Sequence, residues 1–340
     1  MKIFTAITAA CLTFSIAQAE VKVPQSYLDQ IKPLPKTMES DSNTLTKEKI
    51  DLGRKLYFDK RFSKNHDVSC NSCHGLDTYG VDNKQFSEGH QKKLGGRNAP
   101  TVYNAAMHLA QFWDGRAKDV EEQAKGPVLN PVEMAMPDEA SVLKVINSIP
   151  EYVELFKEAF PDSETVTYDN FGNAIGAFER KLVTPGKFDN FAKGDMSVLN
   201  DEEKKGFVKF MEVGCYSCHN GPALGGNMYM KLGLLKSWPA LKDNGRYDIT
   251  KNPAEKHSFK VPSLRNIAET GPYLHDGSVN DLNTMVDMMA EYQLGKKLSR
   301  EDIDSIVTFL KALTGKPDKN YIAEPKLPAS TATTPMPDPN

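Results

Sequence analysis

Several features are scarce in this chain, and each scarcity narrows the class of protein. Only five of its 340 residues are cysteine, two are tryptophan, and 42 basic residues nearly balance 45 acidic ones. Without a basic excess, the chain has no electrostatic footprint for nucleic acid. No apolar run after the N-terminus reaches the roughly 20 residues that span a bilayer. Alternating β-branched runs are also few. The sequence therefore predicts a mainly α-helical, globular protein of about two domains.

The N-terminal segment 1–19 predicts an export signal rather than a part of the fold. Lys2 gives it a positive start, residues 3–16 form an apolar stretch, and Ala17-Gln18-Ala19 is a small-residue cleavage site. A membrane anchor is the other interpretation, but the apolar stretch is too short to span a bilayer. We therefore expect a periplasmic protein whose mature chain begins at Glu20 and which has no membrane span.

The cysteines of the mature chain form two copies of one motif, C-x-x-C-H. This motif is the signature of covalent haem attachment, in which both thiols form thioethers and the histidine binds iron. A redox dithiol would need a βαβ context, and a Cys2His2 zinc site would need a second histidine a few residues further on. Neither is present, so we predict two c-type haems. Their attachment residues are Cys70, Cys73, Cys215 and Cys218, and their proximal ligands are His74 and His219.

Each motif follows a predicted helix, which indicates a duplicated architecture. The first helix begins near Thr44 or Thr46 and ends near Phe58, and the second is capped by Asn200 and ends near Val213. Apolar residues at helical spacing predict two further helices, over 169–182 and 299–313, and a polar stretch with proline and glycine at 183–199 predicts a domain junction.

These patterns predict a mainly α fold with two cytochrome c-like domains, each around one covalently bound c-type haem. The expected first domain covers 20–182, joined by the C-terminal segment 317–330, and the expected second domain covers 183–316. The proline-rich end, 331–340, is expected to be a disordered tail.

The sixth ligand of each iron decides between electron transfer and reaction with a small oxidant. For the second haem, Met285, Met288 and Met289 lie on a predicted helix, and composition does not choose among them. For the first haem, His90 lies on a glycine-flanked loop, where a histidine can bind an iron and also leave it. An ordinary surface histidine would fit the same pattern.

Ordered stretches between and after the motifs resemble a known family. They are Gly95-Gly96-Arg97-Asn98-Ala99-Pro100-Thr101, Gln111-Phe112-Trp113-Asp114-Gly115-Arg116, Pro272-Tyr273-Leu274-His275-Asp276-Gly277 and Gln293-Leu294-Gly295. Together they resemble the bacterial di-haem cytochrome c peroxidases, which include the MauG-type enzymes, over residues 45–315.

The resemblance implies that the haem at His74 reduces peroxide. His90 would be its removable sixth ligand in the resting oxidised state. Glu133 would be the distal acid/base, with Gln123 and Phe112 in the same pocket. One carboxylate above the iron can act as base and then as acid while the O–O bond breaks. Taken alone, Glu133 would be an ordinary surface carboxylate.

The resemblance also implies roles around the second haem. Met289 would be its sixth ligand, and this haem would receive the incoming electrons. Trp113 would lie between the haems, although core packing alone would also explain a tryptophan. A calcium ion between the domains would be bound by the Asn98 side chain and by the backbone carbonyls of Thr270 and Pro272. Such oxygen ligands suit calcium.

The function implied is a peroxidase that reduces hydrogen peroxide to water with electrons from a small cytochrome c or copper protein. The family also implies a homodimer. Two alternatives stay open. One is a MauG-like enzyme that oxidises another protein, in which a tyrosine replaces the methionine ligand; Tyr292 lies close to Met289. The other is a non-enzymatic electron carrier with two six-coordinate haems.

Overall fold

The computed structural model describes residues 21–340 and is mainly helical. The expected signal, 1–19, lies outside these residues. The helices are α1 (Gln25–Leu28), α2 (Lys47–Phe58), α3 (Cys70–Cys73), α4 (Val120–Leu129), α5 (Glu139–Asn147), α6 (Pro150–Ala159), α7 (Tyr168–Glu179), α8 (Lys187–Ala192), α9 (Asp201–Val213), α10 (Tyr247–Thr250), α11 (Leu282–Met288), α12 (Arg300–Lys311) and α13 (Lys319–Ile322). Strands β1 (Tyr229–Lys231) and β2 (Ser258–Lys260) form an antiparallel pair in which Met230 faces Phe259. Within the described range, no helix is both long and apolar enough to cross a membrane.

The four helices that the sequence predicts are present, as α2, α7, α9 and α12. Side-chain caps start them: Thr46 accepts the Lys49 amide, and Asn200 accepts the Glu203 amide. Each cap satisfies a backbone donor that has no partner within the helix. Helix α7 ends at Glu179, three residues before the predicted end at 182.

Two hydrophobic cores organise the chain, and both contain the same helix crossing. The first core lies around α2, α6 and α7, and the second around α9, α11 and α12. A Cβ added at Gly53 of α2 would lie 1.8 Å from the carbonyl oxygen of Ala174 in α7. A Cβ added at Gly206 of α9 would lie 2.1 Å from the carbonyl oxygen of Ser305 in α12. In each half, therefore, only glycine lets the two helices approach this closely.

The predicted domain junction at 183–199 contains a buried helix that the sequence did not indicate. It contains α8, whose Phe188 and Phe191 are 0 % and 1 % exposed in the second core. Asp189 accepts the amide of Gly186 at 2.7 Å and lies 3.0 Å from the guanidinium of buried Arg265. The short helix was missed because only two aromatic residues, three apart, carry its apolar face.

After α12 the chain returns to the first core. The Tyr321 hydroxyl donates to the carbonyl of Phe178 at 2.7 Å, and Arg54 donates to the carbonyl of Ala323 at 2.9 Å. These hydrogen bonds hold α13 and the residue after it against α2 and α7.

The last ten residues, expected to be disordered, also lie against the first half. The Thr331 hydroxyl donates to the carbonyl of Ser148 at 2.8 Å, and the amide of Asp338 donates to the carbonyl of Lys64 at 2.9 Å. Prolines exclude regular structure here, but they also lower the entropy that an extended segment loses when it is held. A proline-rich composition is therefore compatible with both a free tail and an extended, bound one.

Candidate functional site

The two C-x-x-C-H motifs hold their histidines by the same kind of contact. His74 Nδ1 lies 3.3 Å from the carbonyl oxygen of Gly80, and His219 Nδ1 lies 3.1 Å from that of Pro262. Because a nitrogen that faces a carbonyl oxygen carries the ring proton, Nε2 is left as the metal-binding atom. Burial lowers the pKa of both imidazoles, that of His219 to about 4, so both rings are neutral.

The motif cysteines are free thiols and partly buried, and the structure pairs none of the four. Burial raises the pKa of the Cys73 thiol to about 11 and that of Cys215 to about 12. Neutral, unpaired thiols beside a histidine with an available Nε2 fit the thioether and iron bonds of a c-type haem.

The second motif opens onto a mainly apolar cavity, which we call the large cavity because residues from across 98–310 line it. Cys215, Cys218 and His219 lie on its wall together with Met285 and Met289. Met288 is not among the lining residues, so only two of the three candidate methionines face this space. Among the described residues, no aspartate or glutamate lines the cavity. The cavity, the thiols and the histidine together fit a haem.

Met289 lies where the helix changes geometry. Helix α11 ends at Met288, and Met289–Gln293 forms a π-helical turn. The Gln293 side chain ties this turn to β1, because it accepts the Gly233 amide at 3.0 Å and donates to the Lys231 carbonyl at 3.0 Å. Short π segments inside helices are frequent at functional sites. The sequence predicted a helix here but not this wider turn.

His90 is buried, with 4 % exposure, and is not on the open loop that its glycine neighbours suggest. Its backbone N–H donates to the carbonyl of Glu133 at 2.7 Å. A Cβ at Gly89 would lie 2.1 Å from the carbonyl oxygen of Val132, so the glycine permits this close approach of two turns. His90 Nδ1 is buried without a hydrogen-bond partner. A ring nitrogen in that condition is costly, which fits a histidine built to serve a bound group.

A polar cavity of about 380 Å³ lies beside the Glu133 turn, with Phe112, Arg116 and Asn130 on its wall. Burial raises the pKa of Glu133 from its ordinary value of 4.5, although Arg116 and Asn130 oppose the shift. A carboxyl group whose pKa is raised towards neutrality can both take and give a proton. Gln123 lies on α4 but is not among the residues that line this cavity.

Arg116 is a member of this site that the sequence did not single out. Its guanidinium carbon lies 3.5 Å from the centroid of the Phe112 ring, and its Nη1 lies 3.0 Å from Asp114. Phe112 has φ of 63°, which is a strained conformation for a bulky residue. The only available signal was the run of aromatic and charged residues from 111 to 116.

Trp113 lies where the two halves of the chain meet. Its indole Nε1 donates to the backbone carbonyl of Asn98 at 2.9 Å, and the Asn98 amide donates to the carbonyl of His275 at 2.8 Å. The Asn98 side-chain nitrogen donates to a backbone carbonyl at 2.9 Å, which leaves its Oδ1 for another partner. Asn98, Thr270 and Pro272, the three predicted calcium ligands, all line the large cavity.

An arginine that the sequence also left unassigned joins the halves beside Trp113. Arg97 pairs with Asp114 at 2.6 Å and with Asp243 at 2.7 Å. These two carboxylates lie 129 positions apart in the chain, and both hold one guanidinium that is partly buried. A planar guanidinium suits such a fixed junction.

Two C-x-x-C-H sites on a helical scaffold with two cores define a di-haem protein. A family model described as di-haem cytochrome c peroxidase matches residues 47–197. The chain is 45 % identical over 313 residues to the cytochrome c551 peroxidase of Pseudomonas aeruginosa, with 90 % of each chain covered. It is 47 % identical over 291 residues to the cytochrome c551 peroxidase of Nitrosomonas europaea, covering 85 % of this chain and 86 % of the relative.

The fold has a solved counterpart. A MauG-like protein associated with microbial copper homeostasis superposes with a TM-score of 0.74 at 27 % identity, covering 87 % of this chain and 97 % of the other. This chain belongs to the di-haem cytochrome c peroxidase family. The family and the enzyme class that the sequence predicted, a cytochrome c peroxidase, are thereby confirmed.

Proposed function

We propose that this protein is a periplasmic di-haem cytochrome c peroxidase. It reduces one hydrogen peroxide to two waters with two protons and two electrons, which come from a small cytochrome c or copper protein. The observation that carries the proposal is the junction of the His90 and Glu133 turns beside a polar cavity. A non-enzymatic electron carrier would have no need for an acid/base residue there.

Each haem would be bound covalently within one cytochrome c-like domain, the first formed by 20–182 with 317–330 and the second by 183–316. When bound, the haems supply the redox chemistry, with electrons entering at the second and reduction of peroxide at the first. Nε2 of His74 and of His219 would bind iron from the proximal side. Met289 would be the sixth ligand of the second haem and His90 the removable sixth ligand of the first.

Glu133 would move the proton. Its raised pKa lets the carboxylate take the proton of the incoming peroxide and return it to the leaving oxygen. Phe112 shares the cavity wall and would exclude water, and Arg116 opposes the rise of the carboxyl pKa. The family resemblance alone assigns Gln123 of α4 to the same pocket, since its side chain does not line this cavity.

Trp113 would lie on the route between the haems. A calcium ion beside it would be bound by Asn98 Oδ1 and by the carbonyls of Thr270 and Pro272, and would hold the two halves in register. Export to the periplasm is proposed from the signal pattern in 1–19. The homodimer is proposed from the family alone.

A steady-state assay with a reduced cytochrome c donor and hydrogen peroxide tests the function. Glu133→Ala should lower kcat by about 10²- to 10⁴-fold, the range typical of a lost general acid/base. Glu139→Gln is a matched control, because this carboxylate lies on the same cavity at the start of α5. Full activity in Glu133→Ala would refute the mechanism, and a wild type without turnover would refute the function.

The second candidate is a MauG-like enzyme that oxidises another protein, favoured by the likeness to a MauG-like structure. Tyr292 argues against it. Its ring lies 5.3 Å from that of Trp238 and 4.9 Å from Lys236 Nζ, and it is not among the residues that line the large cavity. A near-infrared band from methionine–iron bonding that disappears in Met289→Leu but persists in Met285→Leu would support the peroxidase. Absence of that band from the wild type would favour the alternative.

A further inference from the structure

The wall of the large cavity carries a buried basic pair that the proposed mechanism does not use. Lys260 is 6 % exposed, and its Nζ donates to the carbonyl of Ala110 at 2.8 Å. The same nitrogen lies 3.3 Å from His108 Nδ1. Both side chains line the cavity that also holds His219 and Met289.

Hydrogen-bond accounting leaves two donors of this pair without acceptors. An ammonium has three donors, and the Ala110 carbonyl and the His108 ring take two of those of Lys260. Because Nδ1 of His108 faces an ammonium, it accepts, and the ring proton is on Nε2. His108 Nε2 is buried and has no partner. One N–H of Lys260 therefore remains available to an acceptor in the cavity, and the Nε2–H of His108, on the opposite side of the ring, has no acceptor either.

The surroundings indicate the charge of that acceptor. No carboxylate of the described chain lines the cavity, and the nearest acidic influence on Lys260 is Asp114, which is already paired with Arg97 and Arg116. Burial lowers the pKa of Lys260 to about 7 and that of His108 well below its usual value. A buried ammonium without a counter-ion is costly, and an anion beside it would remove that cost.

The position of the His108 ring is determined by close contact with the backbone at Gly226. Gly226, with φ of 80°, lies against the ring, and a Cβ there would come within 2.1 Å of its Cδ2. The Lys260 backbone is held by a hydrogen bond, since its N–H donates to the Trp113 carbonyl at 2.8 Å. The pair therefore lies between the large cavity and the backbone of Ala110 and Trp113.

We propose that Lys260, oriented by its contact with His108, forms a carboxylate-binding site that takes a propionate of the second haem and so positions that haem and sets its potential. The chemistry fits, because attachment at Cys215 and Cys218 uses the vinyl groups and leaves the propionates as the anionic groups of the cofactor. The proposal rests on the proposed haem attachment, and a haem count on the purified protein tests that premise separately.

The test compares Lys260→Met, which removes the charge, with Lys260→Arg, which keeps it. A buried positive charge favours the reduced, less positive haem, so Lys260→Met should shift the reduction equilibrium of the second haem at least tenfold towards oxidation, or 59 mV. Lys260→Arg should shift it less, and the first haem should not change. Lys231→Met is the matched control, because this lysine lines the same cavity but is exposed.

Resonance Raman bands of the propionates give a second readout that needs no turnover. His108→Phe keeps the ring shape and removes both nitrogens, so it should change the propionate bending band of the second haem. This variant also tests the proposal if Lys260→Met does not fold. The proposal would be overturned if Lys260→Met and His108→Phe kept the wild-type potential and propionate bands. It would also be overturned if Lys231→Met shifted the potential as much as Lys260→Met. Loss of peroxidase activity without these changes would bear on the function alone.

Discussion

The two halves of the molecule share a helical scaffold and differ in the side chains that lie opposite the motif histidine. In both, a helix crosses a later helix at a glycine, Gly53 or Gly206, and a motif histidine is oriented by a backbone carbonyl. Opposite the motif histidine, the first half places Glu133 on a polar cavity, and the buried His90 is hydrogen-bonded to the Glu133 backbone. The second half places Met289 on an apolar cavity.

This difference locates the chemistry. The duplicated helical frame orients the motif histidine in the same way in both halves, so this histidine does not distinguish the two sites. The distinction comes from turns outside the shared frame, the His90 and Glu133 turns in one half and the π turn at Met289 in the other. Function follows the groups placed on a scaffold rather than the scaffold itself.

Removal of the proposed sixth ligand of the first haem should have the largest effect. His90→Ala should leave the first haem high-spin and open to peroxide in the fully oxidised protein, because the buried imidazole is the only proposed ligand on that side. Electronic and electron paramagnetic resonance spectra measure this. His66→Ala is the control, since it removes a histidine of the same half that the proposal does not use. A first haem that stays low-spin in His90→Ala would contradict the assignment.

The shared glycine crossing offers the next largest effect. Gly53→Ala and Gly206→Ala place a methyl group within 1.8 Å and 2.1 Å of a carbonyl oxygen, so the helices must separate. Each variant should lose about 3 kcal/mol of unfolding free energy, the upper part of the range for overpacking. Hydrogen exchange should show faster opening of α2 and α7 in the first variant, and of α9 and α12 in the second. If these helices exchange as slowly in both variants as in the wild type, the duplicated crossing is refuted.

The halves should also differ in their response to pH. Glu179 at the end of α7 is fully buried, and burial together with the Glu121 carboxylate raises its pKa from 4.5 to about 8. The folded state therefore keeps a proton that the unfolded state has lost, so stability is highest below pH 4.5 and falls as the pH rises towards 8.

Between pH 6 and 7 the unfolding free energy of the first half should fall by about 1.4 kcal/mol because of this group. Glu179→Gln should flatten that dependence, and pH-dependent hydrogen exchange of α2 and α7 measures it. The Glu88→Gln variant serves as control, because Glu88 is exposed. If the wild-type and Glu179→Gln profiles are parallel, Glu179 is not the titrating group.

The sequence predicted the repeated frame well because caps and helical periodicity are local signals. Thr46, Asn200 and Ser299 each start a helix as expected. The motif spacing alone gave His74 and His219 as candidate proximal ligands, and the resemblance to a family then gave the candidate residues on the opposite side of each haem. Neither source indicated that His90 is buried, since its glycine neighbours are equally typical of an open loop.

Features that depend on packing between distant segments were not predictable. Helix α8 is buried through two aromatic residues in a polar stretch, and Arg97 joins Asp114 to Asp243 across the halves. The pairing of Lys260 with His108 brings together residues 152 positions apart. No local pattern encodes such contacts, because they arise only when the two cores meet.

The smallest expected effect concerns the tail, which lies only on the first half. Deletion of 331–340 removes the Thr331 bond to Ser148 and the Asp338 bond to Lys64. Exposed hydrogen bonds contribute about 1 kcal/mol, so the loss should be small and confined to that half. The Gln91 side chain also donates to the Pro339 carbonyl at 3.1 Å, so amides around His90 should exchange faster. Thr331→Ala, which leaves the Gln91 contact intact, should not affect those amides. Unchanged exchange after the deletion would mean that the tail is not held against the first half.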